Sequence, residues 1–463
     1  ATTSGRFNIS AKSPLTGLVG DSNCGGHFGS ALKGAGYDQI VITGKSDRPV
    51  YIAVEDESVQ IRDAGGLWGR GVYDATNAIK RELGDPNFQV LCIGIAGENL
   101  VRYACVISDC CNAAGRTGMG AVMGSKMVKA IAVKGTQGVR VAEPETLEKL
   151  ARTRVQEIQT EPFYKVLSTY GTTLLNNLDW AQQLCQCKNF QSWEFPTPEN
   201  LTGSNILRYV SRLKSCASCP ISCHRLYTIL DGPYANDRAA GPEFETVAHL
   251  GYLTMNTDLE VVLRSNTLCN DFGLDTMSTG HAIANAMEWF QHGIITINDT
   301  GGIPLEWGNG QAQLQAIESI ARREGFGNVL AEGAYNASRV VGGDAGKYVS
   351  HVKGMCHLDM RQGYAFALSR VTSTRGNDHL RGDPSMINNP KTCRELFGDE
   401  RVADPDTLYG KELLVIWQES VNLLSDCLAR CRNDGIQYYL PVSKSVMEEL
   451  ADNLSVATGV EWT

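Results

Sequence analysis

Short apolar runs dominate the first part of the chain, and helical periodicity dominates the rest. Val50-Tyr-Ile-Ala-Val54 and Val59-Gln-Ile-Arg62 flank the polar Glu55-Asp-Glu-Ser58, which predicts a hairpin. Gln39-Ile-Val-Ile-Thr43, ended by Gly44, reads as another strand. Gln89–Ile93 and Tyr103–Ile107 read as buried strands around Gly97-Glu-Asn99. One helix interrupts them, because Val72 to Leu83 places Ala75, Ile79 and Leu83 on one face. From Pro144 the pattern turns helical. Pro144-Glu-Thr-Leu-Glu opens with the proline and acids that suit a helix N-terminus. Helical stretches follow over 243–272, 276–292, 311–324 and 411–429. No repeat of fixed period and no low-complexity tract occurs.

At roughly 150 residues per domain, 463 residues suggest about three domains. Fifty-one acids against 42 Lys and Arg give a formal charge of −9, so the chain has no basic footprint for nucleic acid or an anionic membrane. It has no run of about 18 apolar residues, so no membrane span is expected. Ala1 to Arg6 lack a basic stretch followed by an apolar one, so no signal peptide is expected there.

Fifteen cysteines, an odd number, suit a reduced cytosolic enzyme better than a disulfide scaffold. Three stand apart as Cys216-x2-Cys219-x3-Cys223. Thiolates at this spacing can hold three corners of an iron–sulfur cubane. With His224 they could instead form a Cys3His zinc site, or hold no metal. Cys92, Cys105 and Cys187 read as buried structural thiols. The Gly-rich segments 17–26 and 113–126 are either turns or backbone cradles for anionic oxygens. Glu243 and Glu245 lie two apart in Gly-Pro-Glu-Phe-Glu-Thr, so they point differently, into solvent or into a cavity. Gly376-Asn-Asp378-His379-Leu-Arg381-Gly382 sets an imidazole, a carboxylate and a guanidinium between glycines. Asn270…Asp275 and Asp426…Cys431 are two similar helix ends, which suggests two related binding positions.

Together these segments resemble the tungsten-containing aldehyde:ferredoxin oxidoreductase family over nearly the whole chain. The resemblance rests on the Cys216–Cys223 motif, Gly-Ala-Val-Met-Gly-Ser-Lys at 120–126, Gly-Pro-Glu-Phe-Glu-Thr at 241–246 and Gly-Leu-Asp-Thr at 273–276. It implies an α+β fold in three parts. These are a β-rich bis-pyranopterin-binding domain over 1–140, a helical domain over 141–345 with the Cys motif and first pterin motif, and a helical domain over 346–463. The last carries the second pterin motif and the fourth cluster cysteine. The family is longer at both ends, so this chain is expected to start inside its first domain and to stop before its C-terminal end.

The resemblance also implies one tungsten bound by two pyranopterins, a [4Fe–4S] cluster on Cys216, Cys219, Cys223 and Cys431, and Mg2+ bridging the pterin phosphates. The magnesium is expected on the backbone carbonyls of Asn23 and Ala113, and Arg6 between cluster and pterin. Arg116, Asn270, Gly273, Leu274, Asp275, Arg381 and Asp426 are the further pterin-side residues. Glu245 resembles the family's active-site glutamate and His379 its partner histidine, with Glu243 and Arg381 as secondary candidates. The implied reaction oxidises a small aldehyde to its acid and delivers electrons to ferredoxin or a ferredoxin-like iron–sulfur subunit in the cytoplasm. Two alternatives are a catalytic subunit of a tungsten benzoyl-CoA reductase, and an electron-transfer subunit without pterin metal. Family members occur as monomers, dimers or complexes with small iron–sulfur subunits.

Overall fold

The computed structural model describes residues 2–177, 186–357, 363–384, 389–434 and 444–463. Its first region holds strands β1 (Phe7–Lys12), β2 (Val19–Cys24), β3 (Val50–Glu55), β4 (Ser58–Asp63), β5 (Gln89–Cys92), β6 (Val106–Ser108), β7 (Asn112–Ala114) and β8 (Val128–Lys134). β1 and β2 form a separate antiparallel pair. The other six make one sheet in the order β4-β3-β8-β5-β6-β7. β3 and β8 are parallel. The predicted 50–62 hairpin is present, with Asp56 in the turn at φ 47°.

Both faces of this sheet are covered, so β8 is buried at six of its seven positions, with Lys129 paired to Glu98. On one face Leu91, Val106, Ile131 and Val133 pack with Phe28, Met119 and Met123. On the other, Tyr51, Val90 and Ala132 meet Val72, Ala75 and Ile79 of the Val72–Glu82 helix.

Two predicted strands differ. Gln39–Thr43 joins no described sheet, and Val41 is 69 % exposed. Tyr103–Ile107 is a strand only from Val106 onward. Its first residues turn aside to dock on a helix end: Cys105 N–H donates to Gly273 O at 2.7 Å, and Ala104 bridges Leu274.

The second region begins with the predicted helix, Pro144–Thr160. It then adds a sheet that the apolar pattern missed: β9 (Val210–Lys214), β10 (His224–Thr228) and β11 (Arg238–Ala240). The helix expected over 243–272 is broken into Phe244–Val247, a π turn Ala248–Tyr252, and Leu259–Phe272. The polar Asn256-Thr-Asp258 sequence ends one segment and caps the next. Asn256 N–H returns to Gly251 O at 2.8 Å, and the Asp258 carboxylate accepts Glu260 N–H at 2.9 Å. Thr276–Gln291 and Gly310–Arg322 form as expected and share a core of Ile283, Trp289, Ile317 and Ile320.

The last region carries Tyr364–Thr372, Lys411–Cys427 and Lys444–Thr458. The last of these returns to the Pro144 helix, where Ala142 N–H meets Ala457 O at 3.1 Å. Among the described residues no helix is long and apolar enough to cross a membrane.

Candidate functional site

The cysteine triplet is the loop between β9 and β10. The pairing of Lys214 with His224 closes its base, and Ser215 and Ser222 hydroxyls meet there at 2.6 Å. The fourth cysteine comes from the far end of the chain, and residues 3–6 join the two pieces. Thr3 N–H donates to Ser218 O at 2.9 Å, Cys431 N–H donates to Thr3 O at 3.0 Å, and Arg6 N–H donates to Ala429 O at 3.1 Å. Gly25 and Gly26 line the same place. A Cβ on Gly25 would sit 2.9 Å from Cys216 Sγ, and Gly26 N–H donates to that sulfur at 3.2 Å.

Burial pushes the Cys219 thiol up to about 12, and the nearby Cys431 and Cys216 add to the shift. Cys216 and Cys223 rise for the same reasons, burial first and Cys431 next. The three crowded thiols of the loop thus resist ionising unless a cation joins them. His224, the zinc alternative, is turned elsewhere. Its Nε2 lies 2.7 Å from Asn112 Nδ2 and its Nδ1 3.6 Å from Glu243. Among the described residues no three His, Cys, Asp or Glu side chains converge on a single-ion site.

The two similar helix ends share one backbone geometry. Gly273 closes the Leu259–Phe272 helix at φ 71°, and Ala429 follows the Lys411–Cys427 helix at φ 54°. Leu274 N–H returns to Cys269 O at 2.8 Å, and Arg430 N–H to Ser425 O at 2.9 Å. This is a Schellman-type closure in both places. At the first end Asn270 gives its Nδ2 to Ala240 O at 3.1 Å, and Asp275 caps the next helix through Ser278 N–H at 3.0 Å.

Between the ends runs a buried network of arginines and carboxylates. Arg116 Nη1 lies 3.5 Å from Asp275 and 3.1 Å from Cys356 Sγ. Its Nη2 donates to Asn377 O at 2.9 Å, and its Nε stands 3.6 Å from Asp378. Burial opposes ionisation of Asp378, but Arg375, His379 and Arg116 outweigh it and hold the carboxyl below the usual range. Arg375 donates to Asp378 at 2.7 Å and to Asp21 O at 2.7 Å. Arg381 pairs with Asp21 and stands 3.5 Å from Asp426, which also pairs with Arg432. Arg6 pairs through Nε with Asn23 Oδ1 and donates through Nη2 to Asn23 O at 3.1 Å. Its Nη1 lies 3.7 Å from Cys431 Sγ. Burial lowers the pKa of Arg432, and Arg6, Arg375 and Arg381 add to the shift against Asp426.

Ala113 lies on β7, next to β2. There Ser22 Oγ donates to Gly115 O at 2.7 Å. The glycines of 118–126 are packing contacts rather than an anion cradle. A Cβ on Gly120 would meet Cys105 O at 2.4 Å, and one on Gly124 would meet Gly97 O at 2.0 Å.

Glu245 opens the short Phe244–Val247 helix, and the π turn follows directly, a distortion frequent at functional sites. Its Oε2 is 3.6 Å from His249 Nδ1, which also meets the Glu245 carbonyl at 2.9 Å. Burial lowers His249 to about 4. His379 is lowered to about 3, by burial first, against the pull of Asp378. Arg116 depresses both imidazoles. Arg375, Asp21, Arg432, Cys356 and His249 were not singled out by the sequence. Asp378 was, within the polar 376–382 segment, next to which Arg375 lies.

The family model described as the aldehyde ferredoxin oxidoreductase N-terminal domain matches residues 1–135, and that of domains 2 and 3 matches 149–463. The tungsten-containing aldehyde ferredoxin oxidoreductase of Pyrococcus furiosus is 37 % identical over 435 residues, covering 93 % of this chain and 70 % of that protein. The corresponding protein of Thermococcus kodakarensis is 35 % identical over 436 residues, with the same coverage. Among solved structures, the active-site complex BamBC of benzoyl coenzyme A reductase with 1,5-dienoyl-CoA superposes at a TM-score of 0.85 and 25 % identity. It covers all of this chain and 75 % of that one.

Proposed function

The chain belongs to the aldehyde ferredoxin oxidoreductase family, and on that premise we propose that it oxidises an aldehyde to its carboxylic acid at a tungsten centre held by two pyranopterins. The balance is RCHO + H2O → RCOOH + 2 H+ + 2 e−. A [4Fe–4S] cluster, which Cys216, Cys219, Cys223 and Cys431 would hold, would supply single-electron transfer to ferredoxin or a ferredoxin-like iron–sulfur subunit. The observation that carries this reading is the strap of residues 3–6, which brings Cys431 to the Cys216–Cys223 loop and sets Arg6 against it.

The residues present fit these groups. Four thiols suit a cubane. Asn23 Nδ2, Arg116 Nε, Arg381 Nε and Arg432 Nη1 are buried and have no hydrogen-bond partner among the described residues. Such donors are costly unless an acceptor arrives, and anionic pterin phosphates supply one. Arg6 would stand between cluster and pterin. Asn23 and Ala113 carbonyls would take the Mg2+. Arg116, Arg381 and the two helix ends, with Asn270, Gly273, Leu274, Asp275 and Asp426, would hold the pterins. When bound, the tungsten centre supplies the two-electron acceptor.

On the substrate side, Glu245 takes a proton from the attacking water. The His249 ring donates Nδ1–H to the Glu245 backbone carbonyl and steadies the carboxylate. His379 stays neutral and donates from its ring to the carbonyl oxygen; its buried Nδ1 has no partner among the described residues. The same reading divides the chain at about residues 140 and 345 and places the protein in the cytoplasm.

Anaerobic steady-state assays test it. Aldehyde-dependent reduction of a viologen dye, without turnover of benzoyl-CoA, is the expected result. Benzoyl-CoA turnover without aldehyde oxidation would move the protein to the chemistry of its structural neighbour.

A further inference from the structure

A buried polar chain behind Glu245 and His249 is not used by the reaction as set out above. It starts at the surface with His292, whose Nε2 lies 3.9 Å from Glu288 Oε1. Glu288 Oε2 accepts Asn189 Nδ2 at 2.5 Å, and Asn189 Oδ1 is 3.5 Å from Asn285 Nδ2. Asn285 Nδ2 donates to His281 O at 2.8 Å and lies 3.0 Å from His281 Nδ1. An amide nitrogen only donates, so His281 Nδ1 accepts. The ring proton is therefore on Nε2. That N–H has no hydrogen-bond partner among the described residues, and His281 is 0 % exposed.

The Thr276–Gln291 helix, which carries His281, presses on the 244–252 segment. A Cβ on Gly280 would sit 2.4 Å from His249 O, and the Thr246 and Thr276 hydroxyls meet at 2.9 Å. The Phe190 ring packs beside the imidazole, with its centroid 5.9 Å from that of His281 and 5.7 Å from that of His357. Phe190 gets there through an unusual turn. Lys188, Asn189 and Phe190 all have left-handed φ, at 54°, 47° and 70°. Three such non-glycine residues in a row store strain, and strain of this kind clusters at ligand sites.

We propose that His281 is a substrate-binding residue: its Nε2–H, held in that tautomer by Asn285, donates a hydrogen bond to an oxygen of the aldehyde and of the carboxylate product. This rests on the aldehyde reading of the site and adds a specificity contact to it. Phe190 gives the pocket an apolar wall, and the chain from Asn285 to Glu288 keeps the donor pointed inward.

The test uses purified holoenzyme, with acetaldehyde, butyraldehyde and benzaldehyde as substrates and butyrate as the calorimetric probe. In His281→Phe, KM for the aldehydes and Kd for butyrate rise about tenfold or more, as expected when one hydrogen bond to a polar or charged acceptor is lost. kcat stays within threefold, because the contact binds ground and transition states alike. His281→Gln keeps an N–H at similar reach and recovers most of the affinity. Unchanged KM and Kd in a His281→Phe enzyme with wild-type iron and tungsten content would overturn the proposal. If that variant does not accumulate, Asn285→Leu decides. Freeing the tautomer weakens butyrate binding severalfold, and no change would equally overturn the proposal. Wild-type enzyme inactive on all three aldehydes defeats the aldehyde reading instead, and the butyrate titration then judges His281 by itself.

Discussion

The helix ends at Gly273 and Ala429 are built alike and lead into different side chains. Both fold back in the same left-handed closure, one with glycine and one with alanine. The first end passes into Asp275, beside Arg116 and, through Thr276 and Thr246, beside the Glu245 segment. The second passes into Cys431 and is tied by residues 3–6 to the cysteine loop. One backbone device thus borders the proposed oxidation site and, repeated, borders the proposed cluster site. The difference lies in the side chains after the turn.

The sharpest way to separate the two ends is to remove the thiol of the second. Cys431→Ser is expected to lose most of its iron and acid-labile sulfide and nearly all aldehyde-dependent dye reduction. The visible absorption band should go with them. At the first end, Glu245→Gln should keep its tungsten and iron, while kcat falls by about 10²–10⁴, or roughly 3–5 kcal/mol. Near wild-type kcat would remove Glu245 from the role of base. Arg116→Leu leaves Asp275 and Asp378 buried with less compensation, so denaturant unfolding should show a loss of about 3–5 kcal/mol. Asp426→Asn, at the other end, should cost less, because Arg381 keeps Asp21 and the asparagine oxygen can still accept from Arg432.

Acid should weaken the first end. Burial lowers His249 and His357 to about 4 and His379 to about 3. An unfolded histidine titrates near 6.5, so between pH 6.5 and about 4 the unfolded chain binds more protons than the folded one. Stability therefore falls as pH falls through that window. His249→Gln and His357→Gln should each flatten the slope of unfolding free energy against pH. The smallest effect is in the turns themselves. Gly273→Ala should cost about 1–2 kcal/mol or more, since its Cβ would also come within 2.8 Å of Gly94 N. Ala429→Gly should gain about 1 kcal/mol in thermal unfolding.

What the sequence made legible follows the distance between partners along the chain. Cys216, Cys219 and Cys223 share one loop, and Gly273 to Asp275 share one turn, so their pattern is local. The 50–62 hairpin and most helices were readable for the same reason. The joining of Cys431 to Cys216 came only with the family resemblance, because the strap of residues 3–6, far from both in sequence, makes that contact. Arg375, Asp21 and Arg432 look like ordinary surface charges until tertiary packing buries them against each other. The glycines at 120 and 124 were ambiguous, since close packing and ligand approach both require a missing Cβ. Gln39–Thr43 has strand composition but no partner strand in the described sheets, and composition cannot supply one.

The most direct test of the account is the metal and pterin content of purified protein handled without oxygen. About four irons with matching sulfide, one tungsten and two pyranopterins per chain are expected. Zinc in place of iron, or iron without tungsten and pterin, would contradict a cluster set beside a tungsten oxidation site.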